Sequence, residues 1–152
     1  MEQDNGRFFN CAESALIASN RSFPMIEDTS SSLKIASMFG GGIVGTGETC
    51  GAVTGALMYL GLALGTDGSE DPQDFSEKRR RARELGQKFV EAFIDAWGSQ
   101  RCSVLKAMDK GQIPPMGTHR AKDLGHCSQC NEYVRWSTEC ISGLVMGMLM
   151  KH

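Results

Sequence analysis

The six cysteines, Cys11, Cys50, Cys102, Cys127, Cys130 and Cys140, are the residues of this chain best equipped for chemistry. As thiolates they act as nucleophiles, as exchange partners for disulfides and as soft metal ligands. Cys127-Ser128-Gln129-Cys130 is the single C-x-x-C, and its spacing suits two chemistries. It can form a disulfide-exchanging pair, or it can supply two of the four ligands of zinc or an iron–sulfur cluster. A second C-x-x-C, which would single out zinc, does not occur, and Asn131 stands where c-type haem attachment needs a histidine. His119 and His126 flank this region as candidate ligands or proton carriers, although a loop histidine is ordinarily just solvated.

The elements that must position these thiols read as helices. Alternating β-branched runs are missing, and Val and Ile fall singly within helical spacing. Asn10 followed by Glu13 has the spacing of a capping box and predicts a helix start at Cys11. A second helix runs from Ser30-Ser31-Ser32 to Phe39 and stops at Gly40-Gly41-Gly42. A third, very apolar helix spans about Thr49 to Leu64. Gly51 and Gly55 share one of its sides, as do Gly61 and Gly65, and small residues at that spacing admit a neighbouring backbone. It is expected to be the central helix. An acidic loop from Asp67 to Asp74 leads to a fourth helix with an apolar face of Leu85, Phe89, Val90, Phe93 and Trp97, ended by Gly98. A short helix starts near Cys102, a loop covers Lys110 to Lys122, and a last helix spans about Ser128 to Met150. Five of the six cysteines then sit at helix N-termini, where free amides and the helix dipole stabilise a thiolate. Cys140 lies mid-helix among apolar neighbours and reads as core.

Composition narrows the function classes. With 22% charged and 41% hydrophobic residues the chain is globular, and at 152 residues it fits one domain, 1–152. A net charge of -2 gives no electrostatic reason to expect nucleic acid. The basic run Lys78-Arg79-Arg80-Arg81 is interleaved with Glu77 and Glu84 and reads as a solvated helix face. The longest apolar run, Cys50 to Leu64, falls short of the roughly 18 residues of a membrane span. The polar, acidic N-terminus has no export pattern, so the expected compartment is the cytoplasm, where cysteines serve as ligands or catalytic thiols rather than structural disulfides. Gly40-Gly41-Gly42-Ile43-Val44-Gly45 matches G-x-G-x-x-G as a string. A dinucleotide fingerprint needs a preceding strand, and here a helix precedes it. The glycines instead permit a tight backbone path towards Cys50.

Asn10-Cys11-Ala12-Glu13-Ser14-Ala15-Leu16, then Phe39-Gly40-Gly41-Gly42, then Thr49-Cys50-Gly51-Ala52-Val53-Thr54-Gly55-Ala56 together resemble the C_GCAxxG_C_C family of redox-active proteins. The likeness extends to Trp97-Gly98-Ser99 with Cys102, and to Cys130-Asn131-Glu132-Tyr133-Val134. The resemblance implies a helical fold and marks Cys11, Cys50, Cys102 and Cys130 as the family cysteines. It also implies kinship with the non-haem part of split-Soret cytochromes, and so electron-transfer chemistry. The order Cys50-Gly51-Ala52 departs from the family label, and Cys127 and Cys140 are additions to it.

The expectation is thus an all-α bundle of five to six helices in which Cys11, Cys50, Cys102 and Cys130 converge. In one chemistry Cys50 is the attacking low-pKa thiolate and a neighbouring cysteine resolves the mixed disulfide. In the alternative, Cys11, Cys50, Cys102 and Cys130, with or without Cys127, hold an iron–sulfur or zinc centre. The non-chemical alternative is a helical, dimeric interaction module, which nine methionines would suit. Either chemistry calls for a redox partner protein or a small-molecule electron carrier.

Overall fold

The computed structural model describes residues 3–4, 6–120 and 128–151. Among them are six α-helices: α1 (Cys11–Ser22), α2 (Ser30–Ala36), α3 (Gly51–Leu64), α4 (Pro72–Trp97), α5 (Cys102–Asp109) and α6 (Cys130–Leu149). A 3-10 turn, Ser37–Phe39, extends α2 to the predicted stop. The all-α expectation holds, with one addition: a two-stranded ribbon of β1 (Gln3–Asp4) and β2 (Arg7–Phe8) precedes α1.

Local signals set the helix ends. Asn10 Oδ1 accepts from the Glu13 amide at 2.9 Å and the Asn10 amide donates to Glu13 at 2.7 Å, completing the capping box. Asp71 caps α4 through the amides of Gln73 and Asp74, Pro72 occupies the first turn, and Gly98 ends the helix at φ 87°. Pro72 lacks a donor at a position that needs none, so the helix starts inside the stretch read as loop. The basic run is solvated as expected. Lys78 pairs with Glu70, Arg80 with Glu84 and Arg81 with Glu77.

Helix α3 is central and packs against α1, α6 and α4. Ala52, Val53, Ala56 and Tyr59 are fully buried, and the Tyr59 hydroxyl donates to the Phe23 carbonyl at 2.6 Å. A second part of the core is aromatic. Phe93 meets Tyr133 and Trp136 edge-on, and Trp97 meets Tyr133 with ring centroids 4.8 Å apart.

The glycine reading of α3 divides in two. A Cβ on Gly55 would stand 2.2 Å from the Ala12 carbonyl oxygen, and one on Gly51 would stand 2.7 Å from Cys11 Cβ. Both glycines therefore seat α3 directly on the first turn of α1. Gly61 faces open space and Gly65 meets only the Gly61 turn, so the second glycine pair does not repeat the contact. Gly55→Leu should force α1 and α3 apart and cost about 3 kcal/mol or more, seen as a thermal midpoint roughly 6–12 °C lower. An unchanged midpoint would mean the two backbones do not meet there.

Candidate functional site: a four-cysteine cavity

A left-handed turn delivers two of the thiols. Gly41, Gly42, Ile43, Val44 and Gly45 all have positive φ, and Ile43 and Val44 are β-branched residues that pay a steric penalty for it. The turn is over-determined by its hydrogen bonds. Val44 donates to Met38 O at 2.9 Å, Gly45 to Gly40 O at 3.0 Å, and Glu48 to Gly42 O at 2.9 Å. Gly42 lies against α5, where a side chain would meet Cys102 Cβ at 2.7 Å and the Glu48 backbone at 2.6 Å. The turn then runs antiparallel to the entry of α5 through a bridge between Thr49 and Arg101. The Cys50 amide donates to Gln100 O at 2.8 Å and the Cys102 amide to Glu48 O at 2.7 Å. These bonds fix the N-cap of α3 and the first residue of α5 beside each other.

Cys11 and Cys130 arrive from the first residues of α1 and α6, which pack together in the bundle. All four cysteines line one cavity of about 240 Å³, with Asn10, Gly41, Gly51, Leu105, Lys106 and Tyr133 as its other walls. Cys50 and Cys102 are buried, whereas Cys11 and Cys130 are half-buried. Residues distant in sequence are brought together because four helices begin at the same place.

Within the cavity the thiols are not equivalent. The Cys11 and Cys130 thiols interact, and that interaction favours the thiolate on Cys130 and disfavours it on Cys11. The Ser128 hydroxyl donates to Cys130 sulfur at 3.2 Å. Cys11 and the Ser128 hydroxyl, with Lys106 nearby, favour the Cys130 thiolate and bring its pKa down to about 6. The Cys11 thiol is driven far upward, first by its interaction with Cys130 and then by burial.

Cys50 reverses the expectation drawn from its place at a helix N-terminus. The amides of Ala52 and Val53 do favour its thiolate, but burial outweighs them and pushes the thiol up to about 12. Glu48, which would oppose ionisation, turns away to pair with exposed Arg101 at 3.3 Å. Cys102 is likewise raised, first by burial, with Lys106 pulling the other way. One thiolate therefore stands among three neutral thiols.

A buried ionic cluster behind the cavity holds Cys130 in place. Arg120 and Asp109 form an ion pair at 2.6 Å with both side chains 3% exposed. The Tyr133 hydroxyl donates to Asp109 at 2.6 Å and accepts from Arg120 at 2.8 Å. The amide of Gln129, the residue before Cys130, donates to the other Asp109 oxygen at 3.1 Å. Asp109 thereby joins the end of α5 to the start of α6 and satisfies an amide that the helix leaves without an internal partner.

Sequence reasoning missed Asp109, Arg120, Lys106 and Ser128. Their contributions come from three separate segments, and only Ser128, inside the C-x-x-C, carried a local clue. His119 stacks edge-on against Trp97, centroids 5.1 Å apart, away from the cysteines. Cys140 is half-buried against the core rather than fully enclosed. Cys127 and His126 lie outside the described residues. Among the described residues, no group of three or more His, Cys, Asp or Glu side chains is arranged to hold a metal ion.

The opposed thiol shifts have a consequence for stability. Cys130 is ionised more readily folded than unfolded, so its contribution grows as pH rises from about 6 to the free-cysteine value of about 8.5. Cys11, Cys50 and Cys102 are raised, so their contribution is complete below about 8.5 and is lost above it. Stability of the reduced protein to urea should therefore rise between pH 6 and 8.5 and fall beyond. Cys130→Ser should abolish the rise and keep the fall; a pH-independent unfolding midpoint would contradict both assignments.

No helix among the described residues is long and apolar enough to cross a membrane. Neither a curated protein nor a solved structure matches the chain. The family model described as Putative redox-active protein (C_GCAxxG_C_C) matches residues 9–150, from the residue before the Asn10 cap to the end of α6. That span contains every wall of the cysteine cavity, and the chain belongs to this redox-active C_GCAxxG_C_C family.

Proposed function

We propose that the chain is a thiol–disulfide redox protein in which Cys130 is the attacking thiolate and Cys11 the resolving thiol. The shared cavity wall of Cys11 and Cys130, at the starts of two helices packed together, carries this reading, because it sets a nucleophile beside the thiol that must next attack it. Cys130 sulfur attacks one sulfur of a substrate disulfide, forming a mixed disulfide and releasing the other sulfur as a thiolate. Cys11 passes its proton to that thiolate and attacks Cys130 sulfur. A Cys11–Cys130 disulfide forms and the remaining substrate sulfur leaves as a thiolate. The substrate gains two electrons, and a cellular dithiol or electron carrier must return them. Cys50 and Cys102 stay protonated and shape the cavity around the pair. Cys11 and Cys130 therefore replace Cys50 as the centre of the reaction.

The test is controlled oxidation of the reduced protein with a stoichiometric small disulfide, followed by peptide mapping without reduction. A Cys11–Cys130 crosslink should be the main product, with Cys50 and Cys102 recovered as free thiols. A product dominated by Cys50–Cys102 would overturn the assignment.

A further inference from the structure

Lys106 lies one helical turn after Cys102 on α5 and is the one basic side chain lining the cavity. It lines the same cavity as Cys130, and among the described residues no carboxylate pairs with it. Thiol–disulfide exchange gives such a group little to do. The leaving thiolate is the conjugate base of an acid with a pKa of about 8.5 and departs unaided. Cleavage of a peroxide bond is different. It releases an alkoxide or hydroxide whose conjugate acid, water in the simplest case, has a pKa of about 15.7. A thiolate beside a proton donor of suitable strength is what that departure requires. The size of the cavity points the same way. About 240 Å³ admits a small molecule, and a folded partner's disulfide would have to enter a space walled by four helix starts.

We propose that a small hydroperoxide is a substrate of the cavity, with Cys130 as its nucleophile and Lys106 as the general acid for the leaving oxygen. This rests on the reading of Cys130 and Cys11 given above. The Cys130 thiolate attacks the terminal oxygen of HO–OR, forming an S–O bond and breaking the O–O bond. The departing oxygen takes a proton from the Lys106 ammonium, giving the alcohol and a Cys130 sulfenic acid. Lys106 regains its proton from solvent. Cys11 sulfur then attacks Cys130 sulfur, and the hydroxyl leaves with the Cys11 proton as water. The resulting disulfide is returned to two thiols by a dithiol reductant, which supplies the two electrons gained by the peroxide.

The experiment compares two oxidants, hydrogen peroxide and the neutral bis(2-hydroxyethyl) disulfide, on the reduced full chain and on Lys106→Gln. Rates are followed on Cys130 by quenching and fragment-ion mass spectrometry, which separates it from Cys127. The iodoacetamide rate of Cys130, measured on both proteins at the same pH, corrects the comparison for any change in thiolate content. Lys106 is exposed, and its replacement should leave the fold intact. The peroxide rate should fall about a hundredfold in Lys106→Gln, within the range of general acid catalysis. Normalised to Cys130 thiolate content, the disulfide rate should fall far less than the peroxide rate, because its leaving group needs no acid. Cys11→Ser should accumulate a dimedone-reactive sulfenic acid on Cys130. Equal losses for both oxidants, no loss for either, or a wild-type peroxide rate no better than free cysteine would overturn the proposal. Failure of the neutral disulfide to yield a Cys11–Cys130 crosslink would instead overturn the underlying assignment of the pair.

Discussion

At pH 7 iodoacetamide should modify Cys130 roughly a hundred times faster than Cys50. With pKa values of about 6 and about 12, Cys130 is mostly thiolate at that pH, and Cys50 is ionised in about one molecule in 10⁵. The more acidic thiol is intrinsically the weaker nucleophile. A Brønsted slope of about 0.4–0.5 returns two to three orders of magnitude to Cys50, which leaves the net factor near a hundred before accessibility is counted. Burial of Cys50 at 5% exposure widens the gap. In Cys130→Ser the fast phase at neutral pH should vanish from the Cys130 position, and Cys11, freed of that neighbour, should label more readily. The readout is pH-dependent alkylation resolved peptide by peptide. A Cys130 titration centred near 8.5, or Cys50 labelling first, would remove the physical basis of the assignment.

Asp109→Ala should destabilise the protein by about 3–5 kcal/mol, the cost of leaving one member of a buried ion pair without its counter-charge. Arg120 would keep the Trp97 carbonyl, the Met116 carbonyl and the Tyr133 hydroxyl as acceptors, none of them charged. The Gln129 amide would lose its partner, and the start of α6 would lose the contact that seats Cys130. Stability to urea and the pKa of Cys130 should be measured together. In a variant that keeps its fold, removal of the Asp109 carboxylate should lower the Cys130 pKa, since that charge opposes the thiolate. Loosening of the helix start would raise it towards the free value. A loss below about 1 kcal/mol would mean that the pair is solvated and not structural.

The helices were legible from the sequence because most are declared locally. The Asn10–Glu13 box and the Gly98 stop act within a few residues and need no tertiary partner, whereas the Asp71–Pro72 start was hidden in a stretch that reads as an acidic loop. The list of site residues was legible for the same reason: every family cysteine stands at a helix beginning. What each thiol does was not. A helix N-terminus lowers a thiol pKa and burial raises it, and only the second depends on what the rest of the chain lays over the position. Cys50 and Cys130 have equivalent local settings and opposite environments. Asp109 and Arg120 gave no signal, since a carboxylate near the end of one short helix and an arginine in a loop look solvated until the fold closes around them.

Cys11 and Cys130 open α1 and α6, so the proposed pair forms only once these two helices have packed together. Their crosslink would tie a loop of about 120 residues. Such a closure withdraws conformational freedom from the unfolded ensemble worth about 4.7 kcal/mol for a loop near 100 residues. By linkage, the folded protein favours the disulfide over the dithiol by the same amount relative to the unfolded chain. For a two-electron couple that shifts the reduction potential by about 100 mV to the reducing side. The stabilised Cys130 thiolate draws it back the other way. The topology of a helical bundle and the acidity of one sulfur are thus the two opposing controls on how readily this protein gives up electrons.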